Sequence, residues 1–356
     1  MKSNYRNTMI RIVLLLLILP FGRLKAGNPD RAGQAGASEL LINPWARSSG
    51  WGGANSGGIH GLEAQFFNVA GTAFTKNTEA IFSHTNYFQG SGMTLNAFGL
   101  TQKTGESGVL GISIVSFAFG DIEVTTTEQP DRSGVTYSPQ FINLGISYSK
   151  VFSNSIYGGV NFKIVTESIS NITASGIAID AGIQYLTGTN EDRNNIKFGI
   201  ALKNVGTSLK FGGDGLSTRV SAPSTNNVYQ LTVEQRASGF EMPSLLNIGA
   251  SYDFDLAIDH KLTLAGTFTS NSFTNDLYVV GLEYRFRNIF MIRGGLAYEN
   301  DIFDDAVSTT FLGGPCAGVT LDIPMGKSGK SFGIDYSFRA TNPWDGIHSF
   351  GLRFTL

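Results

Sequence analysis

The sequence is short of charged residues and of cysteine, and it has no excess of basic residues. Asp, Glu, Lys and Arg make up 15% of the 356 residues, whereas a soluble domain averages about 25%. The formal net charge of -2 excludes a basic surface for binding nucleic acid. A single cysteine, Cys316, excludes an internal disulfide framework. Cys316 is either a nucleophile or a small packed side chain, and its sequence context supplies no general base to favour the first.

The sequence also lacks an apolar run long enough to form a membrane-spanning helix. Such a helix needs about 20 apolar residues, and the run at 12–19 is too short. This run follows a basic stretch that includes Lys2 and Arg11 and precedes the small residue Ala26, which is the order of an export signal. We therefore predict a signal peptide over residues 1–26, cleaved after Ala26.

Glycine, aromatic residues and regular alternation are what the sequence has in quantity. It contains 44 Gly, 26 Phe and 12 Tyr. Beyond Asn77, apolar residues alternate with small or polar ones, as they do from Leu246 to Leu256 and from Phe290 to Tyr298. Because successive side chains of a strand point to opposite faces, these segments are predicted to be strands with one apolar face each.

Soluble sandwiches and membrane barrels both show this alternation. Most segments here run for about 9–12 residues, which suits a tilted strand that crosses a bilayer, whereas sandwich strands are usually nearer 5–6. Tyr and Phe recur at the segment ends, where a membrane barrel carries its aromatic girdles. We therefore predict an all-β fold, a transmembrane antiparallel β-barrel over residues 78–356 that is integral to a bacterial outer membrane.

The barrel is predicted to have about fourteen strands, an even number as in single-chain bacterial barrels. They lie near 78–87, 91–102, 107–118, 139–150, 154–168, 173–186, 195–206, 244–255, 260–270, 277–286, 289–299, 315–323, 330–340 and 346–356. If the first strand runs outward, the three longest connections, 119–138, 207–243 and 300–314, all lie outside, and the inner turns are all short. Bacterial barrels have this asymmetry.

Residues 27–77 have a different character. They contain glycine-rich, loop-like stretches and one segment, 61–70, that could form a short helix. Aromatic residues such as Trp45 and Trp51 argue against a disordered segment. We predict that residues 27–77 form a plug or hatch inside the barrel, the alternative being a disordered mature N-terminus.

Charged residues within the strands fall mostly on the polar face. They are Lys163, Asp180, Lys197, Lys203, Asp253, Glu283, Arg285, Arg293, Asp335, Arg339 and Arg353. A charge that faces lipid at mid-bilayer costs about 2–4 kcal/mol, so we expect these side chains to point into the lumen and pair there. They either line a passage or form an ion-pair network that fills the barrel. In the segment 277–286, Leu282 is expected to face lipid and Gly281 the lumen, where a serine should be tolerated.

The sequence offers no motif for catalysis, for a cofactor or for a metal, and we assign no residue to such a site. The histidines are scattered without the spacing of metal ligands; they are His60, His84, His260 and His348. The acidic cluster of Asp301, Asp304 and Asp305 in a predicted outer loop either binds a cation or is simply solvated. Ser331 matches a nucleophile-elbow spacing, but it opens a strand with no helix behind it. We therefore expect a protein that is not an enzyme.

A resemblance to a known family adds to this prediction. Residues 46–55 contain Gly52-Gly53-Ala54, and residues 61–71 end in Asn68-Val69-Ala70-Gly71. This order resembles the N-terminal region of the PorV/PorQ family of Bacteroidota outer-membrane proteins, which is itself similar to the FadL fatty-acid channels. Where that family has Asn-Pro-Ala-Gly, this chain has Val69 in place of the proline. Further similar segments lie at 119–122, 138–141 and 198–206.

The resemblance implies a fourteen-stranded, FadL-like barrel with a role in the type IX secretion system. It implies three partners: outer-membrane lipid, the large SprA/Sov-like translocon barrel, and the C-terminal signal domains of secreted cargo. The alternative is a FadL-like channel for hydrophobic small molecules. A barrel enzyme such as a lipase is a third hypothesis, and the Ser/His/acid set that it needs is not evident in the sequence.

The two leading hypotheses differ in what they require. A channel needs an apolar pocket in the lumen and a gap in the wall, whereas a cargo binder needs ordered outer loops. The longest connection, 207–243, contains an alternating stretch from Tyr229 to Val233. Part of this connection could therefore extend as a hairpin that holds a protein partner; alternatively, the connection packs as a lid over its own barrel.

Overall fold

The computed structural model describes residues 27–130, 134–187, 196–223, 228–300, 302, 310, 312–326, 329–341 and 345–356. The predicted signal peptide and Asp301, Asp304 and Asp305 lie outside the described residues. Fourteen strands close into a single antiparallel barrel. Among the described residues, no helix is long and apolar enough to cross a membrane.

The barrel strands follow one another around the wall in chain order, and the last pairs with the first. They are β1 (Thr78–Tyr87), β2 (Met93–Thr104), β3 (Gly108–Ala118), β6 (Gln140–Val151), β7 (Ile156–Ile169), β8 (Ile172–Leu186), β9 (Ile196–Gly206), β12 (Leu245–Ala257), β13 (His260–Asn271), β14 (Leu277–Phe286), β15 (Phe290–Glu299), β16 (Cys316–Pro324), β17 (Ser331–Arg339) and β18 (Ile347–Thr355). The outer connections carry two further pairs, β4 (Ile122–Glu123) with β5 (Thr136–Tyr137), and β10 (Ser217–Pro223) with β11 (Val228–Glu234). Every predicted barrel strand is confirmed to within two residues at each end.

The alternation predicted from sequence sets the two faces of the wall. Large apolar side chains such as Phe82, Ile112 and Phe162 point outward and are exposed, while small and polar side chains point inward and are buried. Leu282 is 46% exposed on the outer face, and Gly281 lies on the inner face, as predicted. A closed barrel with an apolar outer face belongs in a membrane, because every strand pairs with a neighbour on each side and the sheet has no free edge strand.

The expectation that a serine would be tolerated at Gly281 is wrong. A Cβ atom there would lie 2.8 Å from the Cβ of Ala54 and 2.9 Å from the indole ring of Trp51. Both residues belong to the segment before β1, so the inner face of the wall at this point is in van der Waals contact with packed chain. The lumen therefore has no room for a side chain at this position.

Residues 27–77, called the lumenal segment below, run through the barrel from its outer to its inner end. The backbone N–H of Asn28 donates to the carbonyl of Asn271 at the outer end, 3.3 Å away. Trp45 and Leu62 are buried against inward-facing wall residues, and the segment ends where β1 begins. It contains helices α1 (Ala46–Ser49) and α2 (Ala64–Phe67) and 3-10 turns at Pro29–Arg31, Ser38–Leu41 and Val69–Phe74.

The helix expected over 61–70 is broken at Asn68, which has extended backbone angles of φ -153° and ψ 100°. Its side-chain Oδ1 accepts from the N–H of Ala70 at 3.2 Å and so caps the following 3-10 turn. Its Nδ2 donates to the wall carbonyls of Ile183 at 3.1 Å and Ile200 at 3.5 Å. Asn68 thus holds the lumenal segment against the wall where β8 and β9 pair.

Candidate lumenal binding site

A cavity of about 160 Å³ lies between the lumenal segment and the outer halves of several wall strands. The lumenal segment contributes Phe66 and Phe67, which are adjacent on α2 with their rings edge to face at 4.9 Å. The wall and its connections contribute apolar, uncharged polar and charged side chains; examples are Leu245, Leu277, Val279 and Ala297, then Asn247, Thr269 and Asn271, and finally Lys203, Glu299 and Arg339. The cavity is therefore amphipathic, with apolar surface interrupted by polar and charged groups.

Lys203 reaches this cavity because it continues the inward alternation of β9, after Gly199 and Ala201. A bulge follows it: the pairing of β8 with β9 shifts at Asp180, and Asn204 has a positive φ of 60°. Asn204 consequently faces inward as well, next to Lys203. A two-to-one bulge of this kind re-aims a side chain and increases the local twist.

Asp180, the carboxylate nearest to this bulge, is engaged by other groups. Its Oδ1 accepts from the backbone N–H of Asn204 at 2.7 Å and lies 2.7 Å from the ammonium of Lys163. Lys203, only 4% exposed, forms no ion pair within the part of the chain that the structure describes. Its ammonium lies 3.8 Å from the ring centroid of Phe66 and 5.8 Å from that of Phe67. The cavity thus contains a desolvated cation held against two aromatic faces.

The opposite side of the cavity carries one further cation and one carboxylate. Arg339 lines the cavity and, among the described side chains, has no carboxylate within ion-pair distance. Glu299 is fully buried, and its Oε1 accepts from the backbone N–H of Thr310 at 3.0 Å. An anionic head group therefore has two cations available, and an apolar body has the aromatic and aliphatic wall.

The wall beside the cavity is incompletely paired. The ladder between β15 and β16 ends at the pair Gly295–Cys316, so Leu296–Glu299 pair with β14 alone among the described residues. Ala297 and Glu299 from this stretch line the cavity, and Leu312 covers it from the following connection. The cavity thus lies next to a gap in the strand pairing between β15 and β16, which is called the seam below.

A second, polar cavity of about 270 Å³ lies nearer to the inner end of the barrel. Its charged and polar lining includes Arg47, His60, Glu63, Lys197, Glu283 and Arg285. Phe67 and Gly53 line both cavities and separate them. Burial lowers the pKa of His60 well below its ordinary value, and burial together with the Asp335 carboxylate raises that of Glu63.

Most of the charged strand residues pair inside the barrel, as the sequence predicted. Glu283 lies 2.8 Å from Arg293 and 2.9 Å from Arg285. Lys197 lies 2.9 Å from Asp253, and Arg353 reaches Asp335 at 3.7 Å. Lys203 and Arg339 are the exceptions, and both line the amphipathic cavity.

The remaining residues singled out in the sequence are dispersed. Cys316 is buried with its Sγ 3.2 Å from the carbonyl of Gly295. His60 stacks on Phe74, and the other histidines contact a cross-strand polar group each; these contacts are His84 with Asn96, His260 with Tyr284 and His348 with Tyr336. Across the described ranges, no group of three or more His, Cys, Asp or Glu side chains is placed to hold a metal ion. Ser331 opens β17.

The contact between Phe66 and Lys203 is the main feature that sequence reasoning missed. The two residues lie far apart in the chain, and no local pattern brings them together. The neighbouring bulge did leave a signal, because Asn204 is polar where strict alternation requires an apolar residue.

No protein-family model and no curated protein sequence matches the chain. Solved structures do match it in shape. The toluene transporter TodX of Pseudomonas putida has a TM-score of 0.55 at 14% identity, over 87% of this chain and 96% of that one. A FadL homologue of Pseudomonas aeruginosa has a TM-score of 0.52 at 12% identity, over 88% and 97%.

The chain has the fold of the FadL-like outer-membrane barrels. The similarity extends over nearly the whole length of both known proteins, so it includes the segment that precedes β1. Together with the closed ring of strands and the apolar outer face, this fold makes the protein an integral outer-membrane protein.

Proposed function

We propose that the protein binds hydrophobic small molecules in the amphipathic cavity and passes them across the outer membrane. The observation that carries this proposal is the composition of the cavity. The rings of Phe66 and Phe67 lie in it beside the ammonium of Lys203, which has no ion-pair partner among the described residues. Binding pockets join apolar surface, which holds the ligand, to polar groups that orient it, and this cavity contains both.

The size of the cavity sets the size of its ligand. An apolar cavity of about 150 Å³ accepts benzene, and the cavity here has about 160 Å³. A single aromatic ring or a short alkyl chain fits without rearrangement. The shape of the toluene transporter TodX, similar over most of the chain, supports the same ligand class. The FadL-like alternative is thus better supported than the secretion role that the sequence resemblance implies.

Passage beyond the cavity requires a movement. The inner cavity is lined by charged groups. An apolar molecule that moved there would gain no favourable free energy from burial of its apolar surface. The seam above Gly295–Cys316 offers a shorter route, from the cavity sideways past Leu296 toward the lipid. We propose that displacement of the Leu312 side chain opens this route.

Binding is tested by titrating the purified barrel with toluene and with benzoate, each a single aromatic ring, followed by calorimetry. Ala297→Phe fills the cavity from its wall and should abolish binding of both probes. Ala317→Phe, on the lipid face of β16, is the matched control and should leave both affinities unchanged. Unaltered affinity in Ala297→Phe would place the ligand elsewhere and refute the proposal.

A second candidate function is protein binding at the cell surface, and the outer hairpin favours it. In the pair β10–β11, Val220 faces Leu231 across the strands, and Tyr229 and Val233 lie on the same face. These four apolar side chains are exposed. A two-stranded hairpin is marginally stable by itself, so a partner that covers this face would stabilise it.

The base of the same connection behaves differently. Leu209 and Met242 are buried, and Leu209 and Phe240 exchange two backbone hydrogen bonds of 2.9 Å. The two alternatives drawn from the sequence therefore apply to different parts, with a lid at the base and a hairpin at the tip. Binding of a SprA/Sov-like translocon or of cargo C-terminal domains is the form of this candidate function that the family resemblance implies.

The hairpin is tested by replacing residues 217–234 with a Gly-Ser linker, which leaves the base intact. If the second function holds, partner proteins recovered in mild detergent and the secretion of cargo both decrease while toluene binding persists. If recovery and secretion are unchanged in a folded variant, the hairpin is not a docking surface.

A further inference from the structure

A groove of about 620 Å³ runs along the outside of the barrel wall across β6, β7, β8 and β9. Its lining is almost entirely apolar. The large side chains around it are Tyr148, Phe152, Ile183, Tyr185, Phe198 and Ile200. Pockets that bind small ligands usually measure about 300–1,000 Å³, so this groove is large enough for a bound molecule. It lies on the lipid face and shares no residue with the lumenal cavities.

The groove exists because two outward positions carry almost no side chain. Gly158 on β7 pairs with Ile183, and Ala181 on β8 pairs with Val160, so a glycine and an alanine are diagonal neighbours. The ring of Phe152 lies across Gly158, where a Cβ atom would come within 2.7 Å of it. Most of the outward side chains that surround these two positions are large and apolar, so the surface of the wall is recessed here.

A lysine stands at the inner end of the groove. Lys150 is exposed on the lipid face of β6, and its cross-strand neighbours are the two glycines Gly108 and Gly158. It forms no ion pair with any carboxylate in the described ranges. A lysine at the edge of the apolar band extends its ammonium to the head-group level while its stem covers apolar surface.

The depth of the groove identifies the leaflet. The Val160–Ala181 pair lies four residues above the start of β7 at Ile156. At a rise of about 3.3 Å per residue and a tilt of about 40°, this pair is about 10 Å above the inner end of the barrel. The apolar band is about 25 Å tall, so the groove lies in its inner half, where the phospholipid leaflet of an outer membrane is found.

We propose that the wall groove binds one glycerophospholipid of the inner leaflet, with an acyl chain over Ala181, beside the ring of Phe152, and its phosphate on Lys150. The acyl chain lies in the groove and contacts the side chains on both of its flanks, whereas other lipids contact the wall on one side only. The phosphate supplies the anion that Lys150 lacks. This lipid remains on the barrel when the bulk lipid exchanges for detergent.

The test is native mass spectrometry of the full barrel after stepwise delipidation, with phosphatidylglycerol added as the probe. The wild-type protein is expected to retain one lipid mass. Ala181→Leu fills the groove and removes that mass, while Ala317→Leu makes the same change on the far side of the barrel and retains it. Heat-modifiable gel mobility confirms that both variants are folded.

The head-group contact is tested by Lys150→Gln. Its lipid affinity should fall about fivefold, which corresponds to about 1 kcal/mol for one lysine at a lipid surface. Lys103→Gln, at the inner end of β2 and outside the groove, is the matched control and should leave the affinity unchanged. Equal lipid retention in wild type and Ala181→Leu overturns the proposal. A dimer that dissociates in Ala181→Leu without loss of lipid also overturns it, because the occupant would then be a second copy of the chain.

Discussion

The ammonium of Lys203 lies 3.8 Å from the ring centroid of Phe66, although 137 residues separate them in the chain. The alternation of β9 points Lys203 inward, and the short helix α2 presents the ring to it. Lys163 and Asn204 engage the Asp180 carboxylate nearby, and Lys203 forms no ion pair with it. This contact links the wall of the barrel to the lumenal segment at the proposed binding site.

Lys203→Met should separate two kinds of ligand. A hydrogen bond to a charged group contributes about 1.5–3 kcal/mol, so removing the ammonium should weaken benzoate binding by roughly 10- to 100-fold. Toluene has no charge and should bind the variant about as tightly as the wild type. Calorimetric titration of both probes checks this. An equal loss for toluene and benzoate would mean that the lysine supports the cavity without contacting the ligand.

Leu282→Arg should reduce the yield of folded barrel. The side chain faces lipid near the middle of β14, where an arginine costs about 2–4 kcal/mol. Ile323→Arg makes a matched change at the inner edge of the apolar band, near the end of β16, and should cost about 0–1 kcal/mol. Heat-modifiable mobility after refolding into vesicles reports both. Equal folded yields would show that the depth assigned to one of the two positions is wrong.

Gly281→Ser should destabilise the barrel even though the substituent is small and polar. Its Cβ would overlap Ala54 and Trp51 of the lumenal segment, and overpacking of this kind costs about 1–3 kcal/mol. Gly266→Ser on β13 is the control, because the nearest atom to a Cβ there is a carbonyl oxygen at 3.7 Å. Denaturant midpoints of the two variants are compared. A Gly281→Ser barrel as stable as the control would mean that the lumenal segment moves aside at no measurable cost.

Asn68→Ala should loosen the lumenal segment. The substitution removes the bonds to Ile183 and Ile200 and the cap on Ala70. Leaving such buried groups unsatisfied costs about 1–3 kcal/mol. We expect raised single-channel conductance in planar bilayers, because a looser segment admits water and ions to the lumen.

The control for this prediction is Val69→Pro, which restores the proline of the resembled family. Asn68 is extended, as the residue before a proline must be, and proline suits the first position of a helical turn. Conductance should stay at the wild-type level. If Val69→Pro opens the lumen as much as Asn68→Ala does, the backbone around residue 69 holds the segment in place and the Asn68 side chain does not.

The sequence predicted the wall better than it predicted the contents of the barrel, for a physical reason. Whether a residue such as Leu282 faces lipid depends on the alternation within its own strand, so a short stretch of sequence is enough to predict the face. The packing of Trp51 on Gly281 and the contact of Phe66 with Lys203 join residues from distant parts of the chain. No local period encodes such contacts. The break in the predicted helix at Asn68 belongs with them, because wall carbonyls of β8 and β9 compete for that side chain.

The most direct test of the central claim is a crystal structure of the barrel grown with 4-bromotoluene, with data collected at the bromine edge. The account predicts one anomalous peak in the lumen, between the ring of Phe66 and the side chains of Leu277 and Val279, and no such peak in Ala297→Phe. Bromine peaks confined to the lipid-facing wall, with the lumenal cavity empty in the wild-type protein, would contradict it.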